Sequence, residues 1–301
     1  MPRILVNSSI RPIKKREKSK NSHRRENSWL MMAVQRSLNV MCLLLVLFVS
    51  MTVQAVGFDD SHYEELLKRY TKPGVSIDGV RVTAVDYAAL GKERDKQGSD
   101  YETLLKDLAS FNLETMKSQE DKKASWINVY NIAAIKTIVD HYPAESIRSK
   151  KITWSGLPWS RKVITVGGKE YSLGQIENDI LLGTFKDLRI HFGINCASVS
   201  CVNLRQEPYR GATLSKQLEE QAREFLGNPQ KGLLIDQKKK MVYLSQIFKF
   251  DKKDFDKLGG GAIHFILPFL GSEDQEFLKK EKVAIEYLNY DWKLNDIKNA
   301  R

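Results

Sequence analysis

This sequence predicts an α+β domain with a mostly antiparallel sheet built from hairpins and packed by helices. Three observations lead there. Two glycine-bearing dipeptides, Asp78-Gly79 and Gly167-Gly168, each stand between short β-prone runs, the pattern of a tight hairpin. Residues 120–141 carry Trp126, Ile127, Tyr130, Ala133, Ala134, Ile135, Ile138 and Val139 at helical spacing, the longest such signal in the chain. Hairpins and helices also intermingle without the regular strand and helix alternation of a parallel sheet.

The elements follow in chain order. Residues 31–55 read as a secretory signal peptide: Arg36 supplies the positive flank, an apolar run extends from Val40 to Val49, and Val53-Gln54-Ala55 offers small residues for cleavage after Ala55. The run is too short to span a bilayer. A retained anchor is the competing view. Residues 1–30, with Lys14-Lys15-Arg16 and Arg24-Arg25, are of a kind signal peptides do not carry, so the native start is expected at Met31 or Met32. The rest, 56–301, reads as a single domain with no linker, repeat or low-complexity tract.

Within it, Ser61–Tyr70 suggests a short amphipathic helix ended by Lys72-Pro73-Gly74. Residues 75–77 and 80–85 form the first hairpin around Asp78-Gly79, and residues 101–109 a helix. The long helix is expected to stop before Pro143, with Ser125 as its cap near Trp126. Residues 152–159 form a Trp- and Pro-containing loop, and residues 162–166 and 169–173 a second hairpin. Ser172 then opens a helix-like segment containing Glu177. Residues 189–195 read as a strand, 214–226 as a helix, 233–235 and 241–244 as a strand pair, 262–270 and 274–280 as helices, and 283–290 as a last strand.

The chain has 48 Lys+Arg against 37 Asp+Glu, a net charge of +11. Ten of those basic residues and two acidic ones lie in residues 1–36, leaving 38 against 35, or +3, for the remainder. A nearly balanced domain gives no electrostatic case for a nucleic-acid partner. Loss of the signal would likewise leave no stable membrane insertion, and a periplasmic or secreted location is expected.

Chemistry concentrates in Arg189-Ile-His-Phe-Gly-Ile-Asn-Cys-Ala-Ser-Val-Ser-Cys201, which holds His191, Cys196 and Cys201 in an otherwise cysteine-free mature chain. Thiol and imidazole are the side chains most readily tuned to react near neutral pH. On a strand, however, His191, Gly193 and Asn195 face one way and Phe192, Ile194 and Cys196 the other. A His191–Cys196 pair therefore requires a bulge or a chain reversal at Asn195; His141 or His264 would be other partners. The competing reading is a Cys196–Cys201 disulfide, because four intervening residues can turn back to the roughly 5.5 Å Cα separation a disulfide wants. Inert buried thiols are the third.

Three segments together resemble one family, the domain of unknown function 547: Trp126-Ile-Asn-Val-Tyr-Asn131, Arg189-Ile-His-Phe with Cys196-Ala-Ser-Val-Ser-Cys201, and Tyr290-Asp-Trp-Lys-Leu-Asn295. The resemblance runs from the region of Val85 to Asn295. It implies a family without an established activity. A proline usually follows the Ser-Cys pair in that family, where this chain has Val202; the family's plant members often lack the second cysteine and keep the first. The resemblance thus points to Cys196 as the functional thiol. The helix opening near Trp126 ahead of a histidine segment is also similar, by fold-level analogy only, to papain-like and transglutaminase-like thiol enzymes. Here that helix start offers Ser125, Trp126 and Asn128 and no cysteine, so the nucleophile would have moved to Cys196.

The catalytic candidates are therefore Cys196 as nucleophile, His191 as base, and Asn131 or Asp291 orienting the imidazole, in thiol-dependent hydrolysis or acyl transfer. Binding candidates are Trp126, Asn128, Glu177 and Trp292. Packing and local hydrogen bonding are the plainer readings of Asn131, Asp291 and Glu177. His264 reads as a core histidine, and His62 and His141 as solvated. Gly259-Gly260-Gly261 lacks the rest of a phosphate loop and reads as a turn. No linear metal motif is present, so neither metal nor cofactor is expected. The second functional class is a non-catalytic envelope binding or scaffold protein, with the Trp154 and Trp159 loop meeting a peptide or glycan and the two cysteines oxidised. A small-molecule or peptide/glycan partner fits either class.

Overall fold

In a computed structural model, residues 58–155 and 157–300 are described. The signal peptide, its Ala55 cleavage site and the basic residues 1–30 lie outside the described residues. Those described belong to one compact unit, Ala55–Arg301. It begins with α1 (Ser61–Tyr70), which buries Tyr63, Leu66 and Leu67, and carries Glu64 in its first turn and Lys68 and Arg69 in its last, the charge order that suits a helix dipole.

The chain then enters β1 (Thr71–Ile77) directly. Lys72-Pro73-Gly74, which follow the end of the helix, form an irregularity inside the strand: the register with β2 (Val80–Val85) shifts between Lys72 and Val75, and Gly74 has φ +72°. An edge strand tolerates proline where a bulge removes the need for its missing N–H. Asp78 and Gly79 both have positive φ, 49° and 84°, as a two-residue hairpin turn demands. Next come α2 (Tyr87–Arg94), capped by Asp86, and α3 (Asp100–Ser110), capped by Ser99.

The long helix, α4 (Gln119–Asp140), is capped by Ser118, whose hydroxyl accepts from the Asp121 N–H. The expected cap, Ser125, is instead buried in its interior with Trp126, Asn128 and Asn131. The sequence places two serines ahead of the apolar run, and the one followed three residues later by Asp121 in the first turn wins. α4 is buried almost all round and organises the larger core, with Leu67, Leu104, Leu108, Ile164, Ile176 and Leu218 among its neighbours.

A second hairpin, β3 (Lys162–Val166) with β4 (Lys169–Ser172), turns at Gly167 and Gly168, both at positive φ. Gly167 also approaches Phe111 so closely that a Cβ would lie 3.2 Å from the Phe111 carbonyl oxygen. Residues Gln175–Phe185 form a π-helix ended by Lys186 at φ 52°. The expected strand over 189–195 is instead a 3₁₀ helix, Leu188–Phe192, capped by Asp187. Its apolar residues alternate like a strand, but they are buried on all sides of a turn rather than on one face of a sheet.

α5 (Leu214–Leu226) precedes β5 (Leu233–Asp236) and β6 (Met241–Leu244), which pair antiparallel. Then follow α6 (Ile247–Phe250), α7 (Lys252–Gly259), α8 (Ala262–Ile266), α9 (Ser272–Lys280) and β7 (Ala284–Tyr287). β7 adds to β6 in parallel, because α6 to α9 carry the chain back to the same end. A second core gathers Phe192, Phe225, Val242, Leu244, Phe248 and Phe255. The sheet is thus mostly antiparallel, split into two hairpins and one three-stranded piece. Among the described residues no helix is long and apolar enough to cross a membrane.

Candidate active site

The 3₁₀ helix changes the geometry expected for the cysteines. Asn131 on α4 grips the chain just beyond it: its Nδ2 donates to the Gly193 carbonyl at 3.0 Å, and its Oδ1 accepts from the Asn195 N–H at 2.7 Å. Asn195 in turn accepts from the Ala197 N–H at 2.8 Å and donates to the Val202 carbonyl. The chain reverses there, with Ala197 at φ 61°. Face alternation no longer separates His191 from Cys196, and both line one cavity of about 70 Å³.

On its other flank the cysteine turn is held by residues 291–296. Val199 donates to the Lys293 carbonyl, Asn295 to the Ala197 carbonyl, and Asp291 to the Ser200 hydroxyl. Asn295 continues to β2, accepting from the Tyr87 hydroxyl at 2.8 Å and donating to the Thr83 carbonyl at 3.1 Å. Beneath the turn, the buried Lys231 ammonium donates to the Cys201 carbonyl and to Asn203 Oδ1, each at 2.8 Å. Burial lowers its pKa to about 8.

Cys196 and Cys201 are free thiols. The Cys196 N–H donates to the Cys201 sulfur at 3.1 Å. The Cys196 sulfur lies 3.2 Å from Ser198 Oγ and 3.3 Å from the Tyr290 hydroxyl, which are themselves 3.2 Å apart. A hydrogen bond from the Cys201 thiol, helped by Ser198 and Tyr290, outweighs burial and lowers the Cys196 pKa to about 7. Burial and the neighbouring thiolate push Cys201 up. Donors aimed at an anion favour it even in a poorly solvated place.

The same cavity is lined by Glu177, from the first turn of the π-helix, His191, and Asp251, from the junction of α6 and α7. One ligand atom from each lies within 4.8 Å of the others. The Tyr130 hydroxyl donates to Glu177 Oε2 at 3.1 Å and accepts from the Trp159 indole at 3.3 Å. Removal from water, with Asp251 nearby, raises the Glu177 pKa to about 8; removal from water also raises Asp251 to about 6. His191 is only 2 % exposed, and burial lowers it to about 4. Its Nδ1 stands 3.5 Å from Asp251 Oδ2, beyond a good hydrogen bond, and its Nε2 has no partner. A neutral imidazole makes this a dipolar contact rather than an ion pair.

Trp159, Phe250, Tyr290 and Trp292 form the aromatic rim, with Trp292 edge-on to Trp159 at 5.8 Å and tilted against Tyr290 at 4.5 Å. Of the residues singled out in the sequence, Cys196, Cys201, His191, Glu177 and Trp292 thus meet in one cavity. Asn131 does not touch the imidazole and braces the turn instead. Asn128 likewise clamps the Tyr209 backbone, donating to its carbonyl and accepting from its N–H, both at 2.9 Å. Trp126 packs edge-on to Tyr171 at 5.1 Å, away from the cavity lining. The Asp291 carboxylate accepts from the Lys293 N–H. His141 bonds the Thr137 carbonyl, and His264 is exposed rather than in the core.

Asp251, Tyr130 and Ser198 are not marked as functional side chains by the sequence, whereas Trp159, expected in a ligand-meeting loop, does line the cavity. Only Ser198 had a signal, its place two residues after Cys196. No curated protein and no solved structure matches the chain. Residues 113–226, which run from just before α4 to the end of α5, match the family described as "Protein of unknown function, DUF547", and that segment carries Asn131, Glu177, His191 and both cysteines.

Proposed function

We propose that the protein is a thiol-dependent hydrolase or acyltransferase in which Cys196 is the nucleophile. The observation that carries this reading is the Cys196 sulfur lying 3.2 Å and 3.3 Å from the Ser198 and Tyr290 hydroxyls, with Cys201 beside it, at the wall of a cavity rimmed by aromatic rings. Near neutral pH about half of such thiols are ionised, their protons already released to solvent. The thiolate pair forms a bond to a carbonyl carbon while the carbonyl π pair moves to oxygen. That pair then returns and expels the leaving group, which takes a proton from water. Water or another acceptor, giving up a proton to solvent, attacks the thioester in a second addition and elimination and releases the thiolate. His191 makes no hydrogen bond to the thiol, so activation by an adjacent base is not needed for this scheme. A cavity of about 70 Å³ suits a small acyl group, with the remainder of the substrate against Trp159, Phe250 and Trp292.

The test is labelling of the full chain by a thiol-directed acyl probe, followed by intact mass. Cys196→Ala is expected to abolish labelling and Cys201→Ala to retain it at a reduced rate; unchanged labelling of Cys196→Ala overturns the reading.

A second reading, a non-catalytic envelope protein that binds a peptide or glycan, is favoured by Trp154, which is 86 % exposed beside the exposed Leu157. It requires Cys196 and Cys201 to be oxidised together, so thiol titration of the unreduced protein separates the two. Export, with cleavage after Ala55, is part of either proposal and is checked by the N-terminal sequence of protein recovered from the cell envelope or medium.

A further inference from the structure

The thiol step leaves Glu177, His191 and Asp251 unused. We infer that these three side chains bind a divalent transition-metal ion, of the class that accepts imidazole nitrogen together with carboxylate oxygen, in the cavity that Cys196 also lines.

The three residues come from separate elements, yet their ligand atoms lie within 4.8 Å of one another. Metal–ligand bonds of roughly 2.0–2.2 Å bring ligands slightly closer than this, so a modest inward movement completes the site. The imidazole is a ligand without another occupation. It is 2 % exposed, its Nε2 has no hydrogen-bond partner, and its Nδ1 is 3.5 Å from the nearest carboxylate oxygen. A buried polar atom left unsatisfied costs free energy that the fold could have avoided.

Asp251 points the same way. It precedes α7, where an aspartate ordinarily accepts hydrogen bonds from the first helical amides. Its side chain makes no such bond and lines the cavity instead. Among the described residues no lysine or arginine bridges either Glu177 or Asp251, so two carboxylates share one pocket without a counter-cation.

The outer contacts are also those of a metal site. Glu177 is fixed by the Tyr130 hydroxyl, which the Trp159 indole fixes in turn; such second contacts orient metal ligands. Three protein ligands beside an open cavity leave a position for water or substrate. One nitrogen and two oxygens favour zinc or manganese over magnesium, which prefers an all-oxygen octahedron, and over calcium, which needs six to eight oxygens.

The competing ligands are the two thiols, and the experiment removes them. Full-length protein freed of metal with a chelator is titrated calorimetrically with Zn²⁺, Mn²⁺ and Mg²⁺. One Zn²⁺ per chain is expected to bind wild type and the Cys196→Ser/Cys201→Ser variant alike. Affinity should fall roughly a hundred-fold or more in His191→Ala and in the near-isosteric Asp251→Asn, since ligand loss exceeds the 10–100-fold cost of losing an outer contact. Zn²⁺ should raise the melting temperature of the cysteine variant and not that of Asp251→Asn. Co²⁺ should bind without a thiolate charge-transfer band. Absence of Zn²⁺ binding, binding that survives in His191→Ala and Asp251→Asn but is lost with the cysteines, or Mg²⁺ binding as tight as Zn²⁺ overturns the inference. None of these readouts requires Cys196 to act as a nucleophile, so this proposal and the thiol chemistry fail separately.

Discussion

The two faces of the cysteine turn differ in how their polar atoms are spent. On the α4 face, Asn128, Asn131 and Asn195 each use both ends of the amide on backbone groups. On the cavity face, His191 Nε2 has no partner, Asp251 lacks the cap it is placed to make, and Glu177 is removed from water beside another carboxylate. A satisfied network specifies one backbone path. An unsatisfied one costs stability, which is how a site prepared for something outside the chain is distinguished from a brace.

Breaking each face should therefore have different effects. The largest is chemical: Cys196→Ala should remove all acyl-probe labelling while urea unfolding stays within about 1.5 kcal/mol of wild type, the range of a small buried change. Next is the brace. Asn131→Ala leaves two buried backbone groups unpaired and should cost about 3 kcal/mol in urea unfolding, at 1–3 kcal/mol per orphaned group, with slower labelling because the turn loosens. Glu177→Gln and Asp251→Asn, on the cavity face, should leave the urea midpoint nearly unchanged, since neither carboxyl has a lysine or arginine partner to lose. Strong destabilisation by either would erase the distinction between the faces.

Two pH experiments sharpen it. Alkylation of Cys196 should rise with pH around a midpoint near 7 and level off above it, because the thiolate is the reactive form. The groups facing that sulfur are Cys201, Ser198 and Tyr290, with Glu177, Asp251, His191 and Tyr130 around the cavity and Lys231 behind the turn. Cys201→Ala should move the midpoint up the most, and Tyr290→Phe less. Lys231 is read through stability instead. Its pKa is about 8 folded against 10.5 for the free side chain, so between those values the unfolded chain holds more protons and stability rises with pH. Lys231→Met should flatten that rise in unfolding curves taken across the same window.

Much of the fold was legible because local chemistry decided it. The Asp78-Gly79 and Gly167-Gly168 turns needed positive φ and had the residues for it, and Leu214–Leu226 formed the helix its apolar spacing predicted. Residues 188–192 were misread because a buried 3₁₀ turn and a buried strand show the same apolar pattern over a few residues. Cys196, His191 and Glu177 were visible as reactive types near one another in sequence. Asp251 was not: it reaches the cavity from a segment sixty residues beyond His191 in chain order, brought there by α6 and the second core. For Asn131 the plainer reading, local hydrogen bonding, holds, but its partners, the Gly193 and Asn195 backbone, lie more than sixty residues along the chain and are not legible in the sequence.

The strip from Tyr290 to Asn295 has a temporal consequence. It carries one of the three donors that tune the thiol and hydrogen bonds to the turn that presents it. During synthesis, Cys196 leaves the ribosome about ninety residues ahead of that strip, at roughly 5–20 residues per second. Until the strip docks, the sulfur has Cys201 and Ser198 beside it but lacks the Tyr290 hydroxyl and the outer brace of its turn, so the surroundings of the thiol are completed only after residues 290–295 have been made.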